Sequence, residues 1–233
     1  MKGRLVSRMS TLGAVLLLLL LIVGTVTTTV AVTSRSWQPL PRPDSLVRVA
    51  VIGDSYSAGS DNDVVWPTLI ATGSPLSISV VAVRDASYVG GAGRSGRFAS
   101  QVDKALASKP TMIVVFGGLG DAGLPEAQIT QSAVDLFAEL IRRAPTSELV
   151  VLGPIWHEMP VPQVFTTLDD ALEKAAWVTR ATYISLIHKD WLTAAGTMQG
   201  DVAPTDTGQL VLARQLNSIL LEQIREPRRT VLP

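Results

Sequence analysis

Five short runs of aliphatic and β-branched residues recur along this chain, separated by segments of helical period, and no other feature narrows the fold as far. They cover residues 46–52, 78–83, 112–116, 149–152 and 183–187. Unbroken apolar strands belong in sheets covered on both faces. Between them, Phe98, Val102, Ala105 and Leu106 form one apolar stripe, and Ile129, Ala133, Leu136, Phe137, Leu140 and Ile141 form a stronger one. Leu168, Leu172 and Ala175 mark a third helix, and Leu212, Leu216, Ile219 and Leu220 the last. Alternating strand and helix predict a three-layer α/β/α sandwich around a five-stranded parallel sheet. Chemistry in such sheets collects in the loops after the carboxyl ends of the strands.

The first 45 residues read differently. Residues 1–8 are a basic start, with Lys2, Arg4 and Arg8 expected to stay in the cytoplasm. Residues 9–33 carry no charge, and about 24 helical residues at about 1.5 Å each would cross a bilayer core. A cleaved signal peptide shares the basic start, but the stretch 27–33 is a poor small-x-small site, so an uncleaved anchor is the expectation and secretion after cleavage the alternative. Either way the remainder is extracytoplasmic. Residues 34–45, with Pro39, Pro41 and Pro43, read as a stiff linker, 46–225 as one domain and 226–233 as a tail.

Composition closes off several classes. Twenty basic residues balance 20 acidic ones, which leaves no electrostatic footprint for nucleic acid. Without cysteine there is no disulfide, thiolate metal site or cysteine nucleophile, and His157 and His188 alone are too few for a multi-histidine metal centre. No metal and no cofactor is expected. Residues 91–96 satisfy G-x-G-x-x-G, but the pattern follows the second strand rather than the first, which argues against a dinucleotide.

Three loops are of chemical interest. Gly53-Asp54-Ser55 follows the first strand, and a serine at such a turn either presents its hydroxyl at the sheet edge or caps the ensuing helix. The second loop runs from Asp85 through a glycine cluster, and glycines let backbone approach a ligand. The third is Gly117-Gly118-Leu119-Gly120-Asp121.

Together these loops resemble the SGNH, or GDSL, hydrolase family of serine esterases and acylhydrolases, over about residues 47–221. The resemblance implies that family's flavodoxin-like sandwich, with Ser55 at the nucleophile position and Asp54 ordering its loop. Gly91 is the best match to the glycine whose amide helps form the oxyanion hole, with Gly90 and Gly93 as alternatives. Gly118 to Asp121 looks like the block Gly-x-Asn-Asp, which puts Gly120 where the family has its oxyanion asparagine. The last family block, Asp-x-x-His-Pro, is similar to residues 200–204. Aligning on Pro204 puts Ala203 at the histidine and Gly200 at the aspartate; sliding by one restores Asp201 but puts Pro204 at the histidine. Neither register recovers a base. His157, after the fourth strand, is then the irregular base, oriented by Glu158 or Asp201. Asp206 reads as the N-cap of the last helix, with Gln209 three residues on.

Two functions follow. The first is a membrane-anchored hydrolase that removes or transfers acyl groups on envelope glycans or lipids. The second is a degenerate relative that binds a glycan, an acyl ligand or an envelope partner without turnover.

Overall fold

The computed structural model describes residues 47–90, 96–200 and 203–225. The expected anchor at 9–33, the linker and the tail lie outside these residues, as do Gly91, Gly93 and Asp201.

Five parallel strands form the sheet: β1 (Val47–Gly53), β2 (Leu76–Val80), β3 (Met112–Phe116), β4 (Glu148–Leu152) and β5 (Thr182–Ile184). Their order is β2-β1-β3-β4-β5. The order reverses between β1 and β3, where open α/β sheets place their ligand crevice. The fold class therefore agrees with the sequence, and the strand ends differ. β2 starts two residues earlier than expected and stops at Val80, although the N–H groups of Val81 and Val83 still donate to the carbonyls of Val51 and Gly53. β5 ends at Ile184, so His188 lies in the following turn rather than at the strand end.

The central strands β1, β3 and β4 read as nearly continuous apolar runs because both faces are covered, whereas the edge strand β2 carries Ser77 and Ser79 and is largely half-buried or exposed. Ala50, Ile52, Ile113, Val115, Leu149 and Val151 face one core. Over it lie α3 (Val102–Ala107), α4 (Glu126–Arg143) and α5 (Gln163–Thr179), which contribute Val102, Ile129, Phe137, Leu140, Leu168 and Leu172. Val49, Val51, Met112, Val114, Phe116, Val150 and Leu152 face the other core, under α2 (Trp66–Gly73) and α6 (Asp206–Arg225). Before α2 comes α1 (Ser55–Ala58), a single turn closed by Gly59 at φ 77°. Two elements escaped the sequence pattern: α2, and a two-residue antiparallel pair of β6 (Met198–Gln199) with β7 (Ala203–Pro204).

α6 starts differently from the expected capping box. Thr205 is the capping side chain, its Oγ1 accepting the Gly208 N–H at 3.2 Å. Asp206 is already helical and accepts from Asn62 Nδ2 at 3.1 Å and from the Asp63 N–H at 3.2 Å. Gln209, fully buried, turns away from the cap: its Oε1 accepts the Trp66 N–H at 2.8 Å and its Nε2 donates to the Tyr56 carbonyl at 3.2 Å. Buried polar groups must find partners, and here the tertiary ones win over the local one. The result ties α6 to α1 and to the start of α2. Replacing Gln209 with alanine strands a buried N–H and a buried carbonyl and leaves a void, so chemical denaturation should show a loss of about 3 kcal/mol.

Candidate functional site

The loops after β1, β2 and β3 meet at one edge of the sheet and are joined by two buried carboxylates. Asp54 is the N-cap of α1: one oxygen accepts the Tyr56 N–H at 3.0 Å, and the other accepts the Gly118 N–H from the loop after β3 at 2.8 Å. The alternative in which Ser55 caps this helix is thereby overturned, because Asp54 does so. Gly117 makes the approach feasible. At φ 121° it adopts a conformation L side chains rarely enter, and a Cβ there would collide with the Asp54 carboxylate.

Asp121 performs the same task between the second and third loops. It is fully buried and accepts from Ser87 Oγ at 2.8 Å, from the Tyr88 N–H at 2.7 Å and from the Val89 N–H at 3.2 Å. Burial pushes its carboxyl pKa up, while these hydrogen bonds pull it down. Gln101, also buried, braces the end of β1 by accepting the Gly53 N–H at 3.0 Å and donating to the Gly53 carbonyl at 2.9 Å.

Ser55 opens α1 directly after β1. At the edge of the sheet the residue is only 7% exposed. It sits against the second loop, where its Oγ accepts the Asp85 N–H at 3.0 Å and donates to Asp85 Oδ1 at 3.3 Å. Asp85 was not singled out from the sequence. Its signal is positional: it lies in the loop after β2, five residues beyond Val80, as Asp54 lies in the loop after β1.

The remaining candidates are distributed as follows. Gly120 lies in a 3-10 turn (Leu119–Asp121), and a Cβ built there would meet Ser87 Cβ at 3.7 Å. Gly90, an alternative oxyanion glycine, uses its amide to donate to Ser87 Oγ at 3.1 Å. Ala203, aligned with the family histidine, is buried in β7, the strand that α6 follows. His157 follows β4 at the same edge of the sheet. Its Nε2 lies 3.9 Å from Glu158 Oε1, and its ring packs against Trp156 with centroids 4.7 Å apart. Trp156 in turn stacks on Phe165 at 4.1 Å. Among the described residues no group of three or more acidic or histidine side chains could hold a metal ion, and no helix is long and apolar enough to cross a membrane.

No family model matches the chain. It is 28% identical over 200 residues to the GDSL lipase Rv0518 of Mycobacterium tuberculosis, an alignment covering 80% of this chain and 87% of the lipase. The psychrotrophic esterase EstA from Pseudoalteromonas sp. superposes with a TM-score of 0.63 at 15% identity, covering 77% of this chain and 99% of the esterase. A family two carbohydrate esterase from Clostridium thermocellum, solved in complex with cellohexaose, gives 0.63 at 14% identity, covering 78% of this chain and 66% of that one. At these identities the solved structures establish a shared fold.

The Asp54 carboxyl has a measurable consequence. Burial, its largest influence, pushes the pKa from 3.8 up to about 6; the Gly118 and Tyr56 amides oppose the rise and the Asp85 charge adds to it. The folded protein therefore holds this proton more tightly than the unfolded chain. The contribution to stability is complete below about pH 4 and is lost as pH rises through 6. Between pH 4 and pH 7, equilibrium unfolding should show the wild type losing about 2 kcal/mol relative to Asp54→Asn, whose side chain does not titrate.

Proposed function

We infer that this chain, whose placement in the SGNH/GDSL hydrolase family is supported by the mycobacterial GDSL lipase and by the shared fold, is an extracytoplasmic serine hydrolase of the esterase class. The observation that carries the reading is the position of Ser55. It stands at the carboxyl end of β1, beside the point where strand order reverses, on a turn whose cap is supplied by its neighbour Asp54.

Ser55 attacks the acyl carbon of an ester. The resemblance assigns the developing oxyanion to two backbone amides, that of Ser55 and that of a glycine matched in sequence by Gly91. The serine proton has two candidate acceptors: the imidazole of His157 and the carboxylate of Asp85. The substrates are acyl or acetyl esters on envelope glycans or lipids, cleaved or transferred. This range takes in the lipid chemistry named for the mycobacterial relative and the sugar bound to the carbohydrate esterase. The uncharged stretch 9–33 anchors the domain to the cell membrane with residues 46–225 outside, or directs its secretion if cleaved.

Ala203 and Gly120 favour a second reading. With alanine at the position of the family base and glycine at that of the oxyanion asparagine, two aids worth about 10²–10⁴ and about 10²–10³ in rate are missing from their usual places. A pocket so depleted would bind an acylated or glycan ligand without turnover.

The two separate on ester turnover by the full-length protein in detergent. Wild type should release nitrophenol from p-nitrophenyl acetate, and Ser55→Ala should slow that release by about 10²-fold or more. Equal rates in the two proteins, together with stabilisation of both by cellohexaose, would favour binding without catalysis.

A further inference from the structure

Asp85 supplies both hydrogen-bond partners of the Ser55 hydroxyl, and no other described residue bonds it. Two contacts and one backbone conformation fix that placement. The Val83 N–H donates to the Gly53 carbonyl at 3.0 Å, so the chain leaving β2 still follows the end of β1. Arg84 Nε then donates at 2.8 Å to the carbonyl of Gly59, the residue that closes the helix Ser55 opens. Asp85 itself adopts φ 56°, a left-handed conformation that Asp and Asn enter more readily than most other side chains. Asp85 is exposed and Ser55 buried, so the carboxylate lies on the solvent side of the hydroxyl. The position that resemblance assigns to the base holds only the methyl group of Ala203.

We propose that Asp85 is the proton acceptor for Ser55, serving from the loop after β2 in place of an imidazole. The inference rests on the esterase reading above. As Ser55 Oγ bonds to the acyl carbon, its O–H proton passes to Asp85 Oδ1 and the carbonyl electron pair moves onto oxygen. Collapse of the tetrahedral adduct re-forms the carbonyl and breaks the bond to the alcohol, which leaves with the proton from Asp85. Water then attacks the acyl-Ser55 ester and gives a proton to Asp85. Collapse returns that proton to Ser55 Oγ and releases the carboxylic acid. The cycle needs no oxidant, reductant or metal ion.

The contact has the right form for this role: the hydroxyl donates and the carboxylate accepts. At 3.3 Å it is slightly longer than the usual nucleophile–base distance of about 2.6–3.2 Å, as unliganded sites often are. The Asp85 N–H, aimed at the same oxygen, fixes its direction. Among the described residues, Asp54 feels the Asp85 charge, and the side chain of the adjacent Arg84 donates to the Gly59 carbonyl.

The test measures acylation of the full-length protein by p-nitrophenyl acetate in Asp85→Asn, Asp85→Gly and His157→Gln. Asparagine keeps the backbone, shape and amide while removing the basic oxygen, and glycine suits the left-handed φ. A thermal melt close to that of wild type confirms folding of each. Asp85→Asn should lose about 10²–10⁴-fold in kcat/KM. Asp85→Gly should lose as much and regain activity several-fold on addition of formate, which would not rescue a merely structural defect. Near-wild-type acylation in folded Asp85→Asn, with Ser55→Ala inactive, would overturn the assignment while leaving the esterase reading intact. A large loss in His157→Gln alone would move the role to the imidazole. No Ser55-dependent acylation in wild type would overturn both.

Discussion

The carboxylate of Asp54, accepting one N–H from its own loop and one from the loop after β3, is the contact on which the rest of this edge depends. It is 5% exposed and carries the desolvation cost of a buried acid. That cost is offset by two well-directed amides and by a backbone at Gly117 that leaves room for the approach. Because Asp54 caps α1, the next residue, Ser55, is free to point its hydroxyl toward the second loop.

A second buried carboxylate extends the same logic. Asp121 gathers Ser87, Tyr88 and Val89, so the loop after β2 is fixed to the loop after β3 by hydrogen bonds rather than by apolar packing. The first and third loops are joined by Asp54, and Ser55 meets the second at Asp85. Three chain segments distant in sequence thus form one rigid frame, and Gln209 and Gln101 brace it from α6 and from the turn before α3. A frame of this kind preorganises backbone amides around a hydroxyl, which hydrolysis of an ester requires and which binding of its ligand would also use.

Much of this architecture is legible in the sequence because the middle of the sheet is buried on both faces, so the central strands announce themselves as apolar runs. Met112–Phe116 lies where the pattern puts it, and the strong stripe from Ile129 to Ile141 lies inside α4. The α2 segment hides because Trp-Pro-Thr-Leu-Ile-Ala-Thr-Gly mixes a proline, a glycine and β-branched residues. Proline is tolerated in its first turn, and burial of Trp66 and Ile70 supplies what propensity lacks. The capping box expected at Asp206 and Gln209 fails for the opposite reason: the local signal is present, but burial sends Gln209 to Trp66 and Tyr56. At the site, Ser55 and Asp54 are visible as a motif. Asp85 is invisible because its relevance arises only when the ends of β1 and β2 are placed side by side.

The positions that lack the residues the resemblance calls for are side-chain positions, and the frame stands without them. Ala203 and Gly120 stand where the resemblance would put an imidazole and an amide, and the strand order, the turn at Ser55 and the carboxylate bridges are formed without them. The central claim is that the frame still holds a reactive hydroxyl. Mass spectrometry of peptides after treatment with a fluorophosphonate examines this directly. The account predicts a stoichiometric phosphonyl adduct on Ser55 in the folded protein and none after denaturation. An unmodified Ser55 under conditions that fully label a competent serine esterase would contradict it.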